Sequence, residues 1–244
     1  MEDASSPYVR FIVLDIETRQ DSTAVSLAGG GKGWRLGLEK ITAFALLTGV
    51  PEGDAGRRNL ELLSEESEDE HQLLLSLNEA LTTYRPLKGA FTLVTYNGLG
   101  FDLGVIRRRS ARHWLFDLPL AGILAEADHL DLMVRHTRSR KDRLPSLRDA
   151  CAGLGIPADP QLTSLRSVEL GPSARRAETD VVATYLLFLY ELAIGARTRD
   201  ILFEGWLALE RLVSLRTRRG PEPHLEQFLK HAHFRAMRAR AERD

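Results

Sequence analysis

The stretch FIVLDIETR, Phe11 to Arg19, constrains this chain more than any other. A run rich in β-branched residues leads straight into two acids separated by one isoleucine. Val9 to Leu14 reads as a short buried strand. Side chains alternate along a strand, so Asp15 and Glu17 project from one face at its end. Two like charges that close are unfavourable unless a cation lies between them. A strand that has simply reached solvent would carry the same residues, so the pair gains meaning only with company.

Two further acids supply it. LVTYNGLGFD places an apolar strand and a turn before Asp102, which starts the helix FDLGVIRRRS. Asp180 opens the apolar helix TDVVATYLLFLY. Each also reads, taken singly, as a helix-capping carboxylate. Together, four acids adjoin apolar elements that place hard oxygen donors in one cleft. Such a set suits Mg²⁺ or Mn²⁺. Two such ions can clamp both oxygens of an in-line phosphoryl displacement.

The rest of the chain mixes strands and helices. Lys40–Thr48 and Arg57–Leu63 read as strands around a turn at Pro51–Gly56, forming an antiparallel meander with the first. The acidic run EESEDE, Glu65 to Glu70, reads as the solvated start of the helix HQLLLSLNEALTTY. Phe91–Tyr96 is a further strand, HLDLM a short segment, and PSLRDACAGLGIP a helix ending at Gly153 or Gly155. These elements predict an α/β domain with a mixed sheet over residues 1–195. Residues 196–244 form a basic helical extension packed on that domain. The glycines of AGGGKGW read as a loop, because a phosphate loop needs Ser or Thr after its Lys and Gly33 follows Lys32.

Composition narrows the partners. The chain has 33 Lys and Arg against 34 Asp and Glu, a net charge of −1. No global field draws it to nucleic acid, so any such binding needs a local basic patch. RHTRSRKDR, Arg135 to Arg143, is the densest. Aromatics are only 7%, which predicts no extended base-stacking platform and mostly backbone, sequence-tolerant recognition. The single cysteine, Cys151, excludes an internal disulfide and a cysteine-built zinc site. No run of 18 apolar residues is visible, so no membrane helix is expected. The acidic, polar N-terminus is unlike a secretory signal, and a cytoplasmic location is expected.

The acids and their surroundings resemble the DEDD exonucleases, the ribonuclease H-like superfamily of 3′-to-5′ exonucleases. Within it, the chain is most similar to stand-alone bacterial proteins that resemble the proofreading domain of family B DNA polymerases. DIET (Asp15–Thr18) resembles the first exonuclease motif, YNGLGFDL (Tyr96–Leu103) the second, and ETDVVATYLLFLY (Glu178–Tyr190) the third with its helix. HLDLM, with Asp131, resembles a segment that follows the second motif, and PHLEQFL (Pro223–Leu229) also has a familiar look. The resemblance spans roughly residues 8 to 230.

It implies a ribonuclease H-like sheet flanked by helices, with two Mg²⁺ or Mn²⁺ ions on Asp15, Glu17, Asp102 and Asp180. Asp15 would bridge both ions. Glu17 and Asp180 would help hold the ion beside the attacking water, and Asp102 would act mainly on the second. Thr18, Asn97, Phe101 and Arg176 would lie against substrate, with Phe101 also packing and Asn97 shaping the turn. The implied reaction is 3′-to-5′ hydrolysis of single-stranded nucleic acid, DNA in preference to RNA, with a polymerase or repair partner left open.

One departure matters. The family carries a Tyr four residues before the last acid, or a His five before it, to orient water or take its proton. Arg176 and Arg175 stand there, and guanidinium is no general base. Three readings follow: a slower nuclease without a base, a substitute such as His129 or His136, or a degenerate exonuclease fold that binds nucleic acid without cleaving it.

Overall fold

Alternation along the first strand sorts the molecule into two layers. In the computed structural model, which describes residues 10–30, 36–52, 57–84, 91–119, 122, 128–136, 145–157, 171–230, 234–235 and 238, that strand is β1 (Phe11–Gln20). Phe11 and Val13 enter one hydrophobic core, and Ile12, Leu14 and Ile16 enter the other. Odd residues of β1 therefore share a face, and Asp15 and Glu17 continue the face of Phe11 and Val13.

β1 runs past the acids rather than ending at them. β2 (Glu39–Glu52) pairs antiparallel along its whole length, with Asp15 opposite Ala45 and Glu17 opposite Ala43. The backbone ladder does not depend on side-chain polarity, and alanines opposite leave room for carboxylates. The register shifts between Glu17 and Thr18, an irregularity that increases local twist. β3 (Arg57–Glu66) continues the antiparallel meander. β4 (Thr92–Thr95) and β5 (Asp128–Asp131) add parallel to the other side. The order is β3-β2-β1-β4-β5, a mixed five-stranded sheet flanked by helices, consistent with the ribonuclease H-like architecture expected.

One face of the sheet is covered by α2 (Glu70–Tyr84) and α3 (Asp102–Arg112), whose Leu73, Leu74, Leu77, Val105 and Ile106 meet the even residues of β1. A short helix, α1 (Ser22–Leu27), follows β1 and is capped by Asp21. The other face carries α5 (Leu147–Gly153), α6 (Pro172–Ala196), α7 (Asp200–Thr217) and α8 (Pro223–Lys230); α4 (Leu132–His136) follows β5. Val181, Tyr185 and Phe188 of α6 fill the space over Phe11, and the Tyr185 ring stacks on Phe11 at 5.5 Å. The Tyr185 hydroxyl donates to the Gly205 carbonyl, so this tyrosine is core. α7 packs on α6 and β3, so residues past 196 share the same core.

α6 begins eight residues before Asp180, so that acid does not open the helix. Pro172 supplies the first turn, where a missing N–H costs nothing. Glu66, at the end of β3, accepts from the Ala174 N–H at 2.9 Å and caps that end. Gly171 permits the approach, since a Cβ there would lie 2.2 Å from the Glu66 carboxylate. By length and composition α6 could also cross a membrane, against the sequence expectation. It is the central helix of one core, and 61% of its most apolar window is buried inside the fold.

The acidic run likewise differs from a solvated helix start. Glu65 and Glu66 belong to β3, Glu68 pairs with Arg19 and Lys40, and Asp69 accepts from His71 N–H as the cap of α2. Glu70 is buried. It receives Arg109 and the Ile41 N–H, while Arg109 also grips Asp21 at 3.0 Å. A cation within reach is what lets a carboxylate start a helix inside the core. Arg109 is thus a buried tie between the Asp21 cap of α1, α2 and α3. Arg107 and Arg108 remain exposed.

Candidate metal and nucleic-acid site

The site forms where the two layers meet beside β1. The sheet face shared by Phe11 and Val13 brings Asp15 and Glu17 against α6, and α6 delivers Asp180. One carboxylate oxygen from each of the three lies within 4.8 Å of the others. Asp102 arrives from the opposite layer. β4 pairs with β1 only at Phe11–Val13, which leaves the Ile16 N–H beyond its reach. Asp102, at the first turn of α3, accepts that N–H at 3.2 Å. The crevice beyond the carboxyl ends of parallel strands is where open α/β sheets place their ligand sites.

The electrostatics are those of acids crowded together. Burial drives the Asp15 carboxyl well above its ordinary value, and Asp180, Asp102 and Glu17 push it further. Burial pushes Asp102 up to about 7, with Asp131 and Glu17 adding to it and the Ile16 N–H opposing. Glu17 is also raised by burial, with Glu66 contributing, although Arg176 works against it. Carboxylates in such a cluster want a proton or a cation. Hard, closely spaced oxygen donors fit Mg²⁺ or Mn²⁺, so the residues present suit that class of ion.

Arg176 lies one turn before Asp180 and shares its helix face. Its Nη1 sits 3.5 Å from Glu17 Oε2, and its side chain is 62% exposed. Arg175 is buried beneath the start of α6. The Thr18 hydroxyl is already engaged with Glu39 Oε2 at 3.3 Å, a bond any ligand would have to replace. Phe101 packs on the core beneath α3. Asn97 adopts a left-handed φ of 67° and its carbonyl accepts from the Phe101 N–H, so it forms the turn that aims Asp102.

That turn is held by Asp131, whose role the sequence left open. Its carboxylate accepts from the N–H groups of Asn97, Leu99, Met133 and Val134. Gly98 is required there, because a Cβ would lie 2.3 Å from the Thr95 hydroxyl. The signal available in sequence was HLDLM, an acid at the end of a short strand and the start of a helix. His129 is half-buried and bonded to the Thr95 hydroxyl at 2.9 Å, and burial lowers its pKa. It is a structural histidine of β5. The side chain of His136 and residues 137–144 of the basic run lie outside the described residues. Arg135 pairs with Glu191 at 2.8 Å. Arg235 is exposed, Arg238 pairs with Glu210, and Arg240 lies outside the described residues.

No protein-family model matches the chain, and no curated protein matches it in sequence. Among solved structures, the family B DNA polymerase from the hyperthermophilic archaeon Pyrobaculum calidifontis is similar. It aligns with 86% of this chain and 30% of its own, at 17% identity and a TM-score of 0.45. The chain spans under a third of that polymerase's length.

Proposed function

We propose that the protein is a metal-dependent 3′-to-5′ exonuclease acting on single-stranded nucleic acid, with DNA preferred. The observation that carries the reading is the convergence of Asp15, Glu17 and Asp180 within 4.8 Å, with Asp102 joining from the other layer. Asp15, Glu17 and Asp102 are all raised by burial and by neighbouring acids, with Arg176 opposing at Glu17, so the cluster costs stability unless a further cation joins it. Asp15, Glu17 and Asp180 would hold one divalent ion, and Asp15 with Asp102 a second. Such ions, when bound, supply Lewis-acid stabilisation to both oxygens of an in-line phosphoryl displacement.

The chain's own residues do the rest. Asp131 and Gly98 fix the turn that presents Asp102. Glu66 and Gly171 fix the start of α6 and so the height of Asp180 over β1. Arg176 contributes charge where the family's tyrosine would stand, on the same helix face as Asp180. It serves a phosphate rather than a proton, because it stays protonated.

The test is to incubate a 5′-labelled single-stranded oligonucleotide with the protein in Mg²⁺ and in Mn²⁺, beside Asp15→Ala and Asp102→Ala. A ladder shortening from the 3′ end, absent in both variants, is the expected result. No shortening of DNA or RNA in either metal overturns it. Binding without cleavage would instead support a nucleic-acid clamp, a reading favoured by the Arg176 contact on Glu17.

A further inference from the structure

The exposed end of α3 carries something the acids do not explain. Trp114 is 81% exposed and Phe116 65% exposed, and their rings meet edge to face at 5.9 Å. Large aromatics are normally buried, and an exposed pair in contact marks a place where something docks. Between them Leu115, and after them Leu118, pack into the core beneath α3. The chain thus alternates around an inward anchor and points both rings outward. Trp114 holds a φ of 59°, a left-handed backbone that a bulky residue seldom adopts. The main-chain N–H of Trp114 donates to the Ala111 carbonyl and that of Leu115 to the Ser110 carbonyl, closing α3 in this conformation.

The charge along the helix that leads to the rings points to the occupant, although the exposed Asp117 follows Phe116. Asp102, Val105, Ile106 and Arg109 are the buried stripe of α3. Arg107 and Arg108 lie on its solvent side, and Arg112 is partly exposed while touching Asp21 at 3.6 Å. Arg108 folds back along the helix over Gly104, toward the end that bears Asp102. α3 is 11 residues long, so about 16 Å separates its acidic start from the aromatic pair. Cationic side chains for phosphates followed by rings for bases is the arrangement that grips a single strand without reading sequence.

We infer that Trp114 and Phe116 form a stacking site for bases of a single-stranded nucleic acid, whose phosphates run along Arg107 and Arg108 toward Asp102. This rests on the exonuclease-class reading above and gives it a distal subsite. The sequence predicts no extended stacking platform and does not single out these two rings. Double-stranded nucleic acid is disfavoured as occupant, because its bases are already stacked on one another.

The experiment measures equilibrium binding of 5′-fluorescein oligothymidylates of increasing length to the full chain in EDTA, by anisotropy at several salt concentrations. Variants are Trp114→Ala, Phe116→Ala, their double, Trp114→Phe, Arg108→Ala, and Ile194→Ala as a control of equal character. Ile194 is exposed at the far end of α6. Wild type is expected to gain affinity in a step once the strand is long enough to reach from Asp102 to Trp114. The double variant loses that step, about ten- to a hundredfold for the long strand. Trp114→Phe restores most of it, and Arg108→Ala lowers the salt slope. Circular dichroism confirms that each variant is folded.

Equal affinity of wild type and double variant for long strands overturns the stacking site while leaving the acid site standing. Absence of any oligonucleotide binding by wild type in EDTA overturns the stacking site, and the acid site then stands or falls by the cleavage assay in Mg²⁺ and Mn²⁺. A wild-type dimer that Trp114→Ala dissolves, without change in oligonucleotide affinity, reassigns the pair to self-association and also overturns the proposal.

Discussion

Glu178 and Asp180 stand two positions apart on α6, yet their carboxylates face opposite surroundings. Residues two apart on a helix point to opposite sides, so Glu178 turns toward β3 and α8 while Asp180 turns toward Asp15. Glu178 is fully buried and surrounded by donors: Ser64 at 2.7 Å, His224 Nε2 at 2.7 Å and Arg216 at 2.9 Å. Burial opposes its ionisation, but His224, Arg216 and Ser64 hold its carboxyl below the usual range. Glu222 completes that cluster on Arg216. Glu178, Glu222 and His224 also lie close enough to hold an ion, but Arg216 already supplies the positive charge. Asp180 instead raises the pKa of another acid. The lesson is that density of carboxylates does not mark a site; what differs is that burial and neighbouring acids raise Asp15, Glu17 and Asp102, while donors hold Glu178 low. The Glu70–Asp21–Arg109 cluster belongs with Glu178, since Arg109, His113 and the Ile41 N–H hold Glu70 low despite its burial.

Breaking the contrast on the acid side has the largest effect. Asp15→Asn is expected to reduce hydrolysis to the level of a no-enzyme control. The same variant is expected to melt at or above the wild-type temperature in EDTA, because it removes a repelling charge. A drop in melting temperature would place Asp15 with the scaffold acids.

Breaking it on the compensated side costs stability instead. Arg109→Met leaves Glu70 and Asp21 buried without their cation, and should cost about 3–5 kcal/mol in a urea titration. A loss under 1 kcal/mol would mean water reaches the pair and the cluster is not a scaffold.

The pH dependence of stability separates the two regions in one protein. Asp102 has a folded pKa of about 7, above its ordinary 3.8. Its contribution is present at low pH and is lost as pH rises through that interval, by about 4 kcal/mol at most. Glu70 and Glu178 have depressed values, so their contribution is present at neutral pH and lost as pH falls below the ordinary carboxylate range. Metal-free protein should therefore lose stability on the way from about pH 4 to about 7. Asp102→Asn should shrink that limb, to which the raised Asp15 and Glu17 also contribute, and leave the acid limb unchanged, and Mn²⁺ should stabilise the neutral-pH protein. A limb of unchanged size in Asp102→Asn would remove Asp102 from it.

Smaller effects test the parts that hold the acids in place. Asp131→Ala frees four backbone N–H groups around the turn, and should cost about 3 kcal/mol with a loss of activity. Asp131→Asn keeps the shape and should recover part of each. Glu66→Gln weakens the cap of α6, and should cost about 1 kcal/mol by thermal melting. An unchanged melting temperature would mean solvent caps that helix equally well.

Much of this was legible along the chain, and the misses have a common character. FIVLDIETR announces a strand with two acids on one face, because period-two alternation is a local property. The helix read from Thr179 begins seven residues earlier, at Pro172, whose ring suits a first turn. EESEDE read as solvated because each acid's partner lies elsewhere: Glu66 on α6, Glu68 on Arg19, Glu70 on Arg109. Arg176 was singled out as a departure, but its contact with Glu17 joins residues 159 apart. Trp114 and Phe116 went unnoticed because an aromatic in sequence is presumed core until its exposure is seen.

The sequence by itself determined where most strands and helices lie, which face of β1 carries Asp15 and Glu17, and that four acids adjoin apolar elements. These follow from side-chain periodicity and backbone preference within a few residues. Only the tertiary structure decided which acids are paired with cations and which repel one another. It also decided that Asp102 takes the N–H of Ile16, 86 residues away, and that two rings face solvent at the end of a basic helix. Charge compensation and exposure depend on what the folded chain brings within a few ångströms, and no local pattern records that.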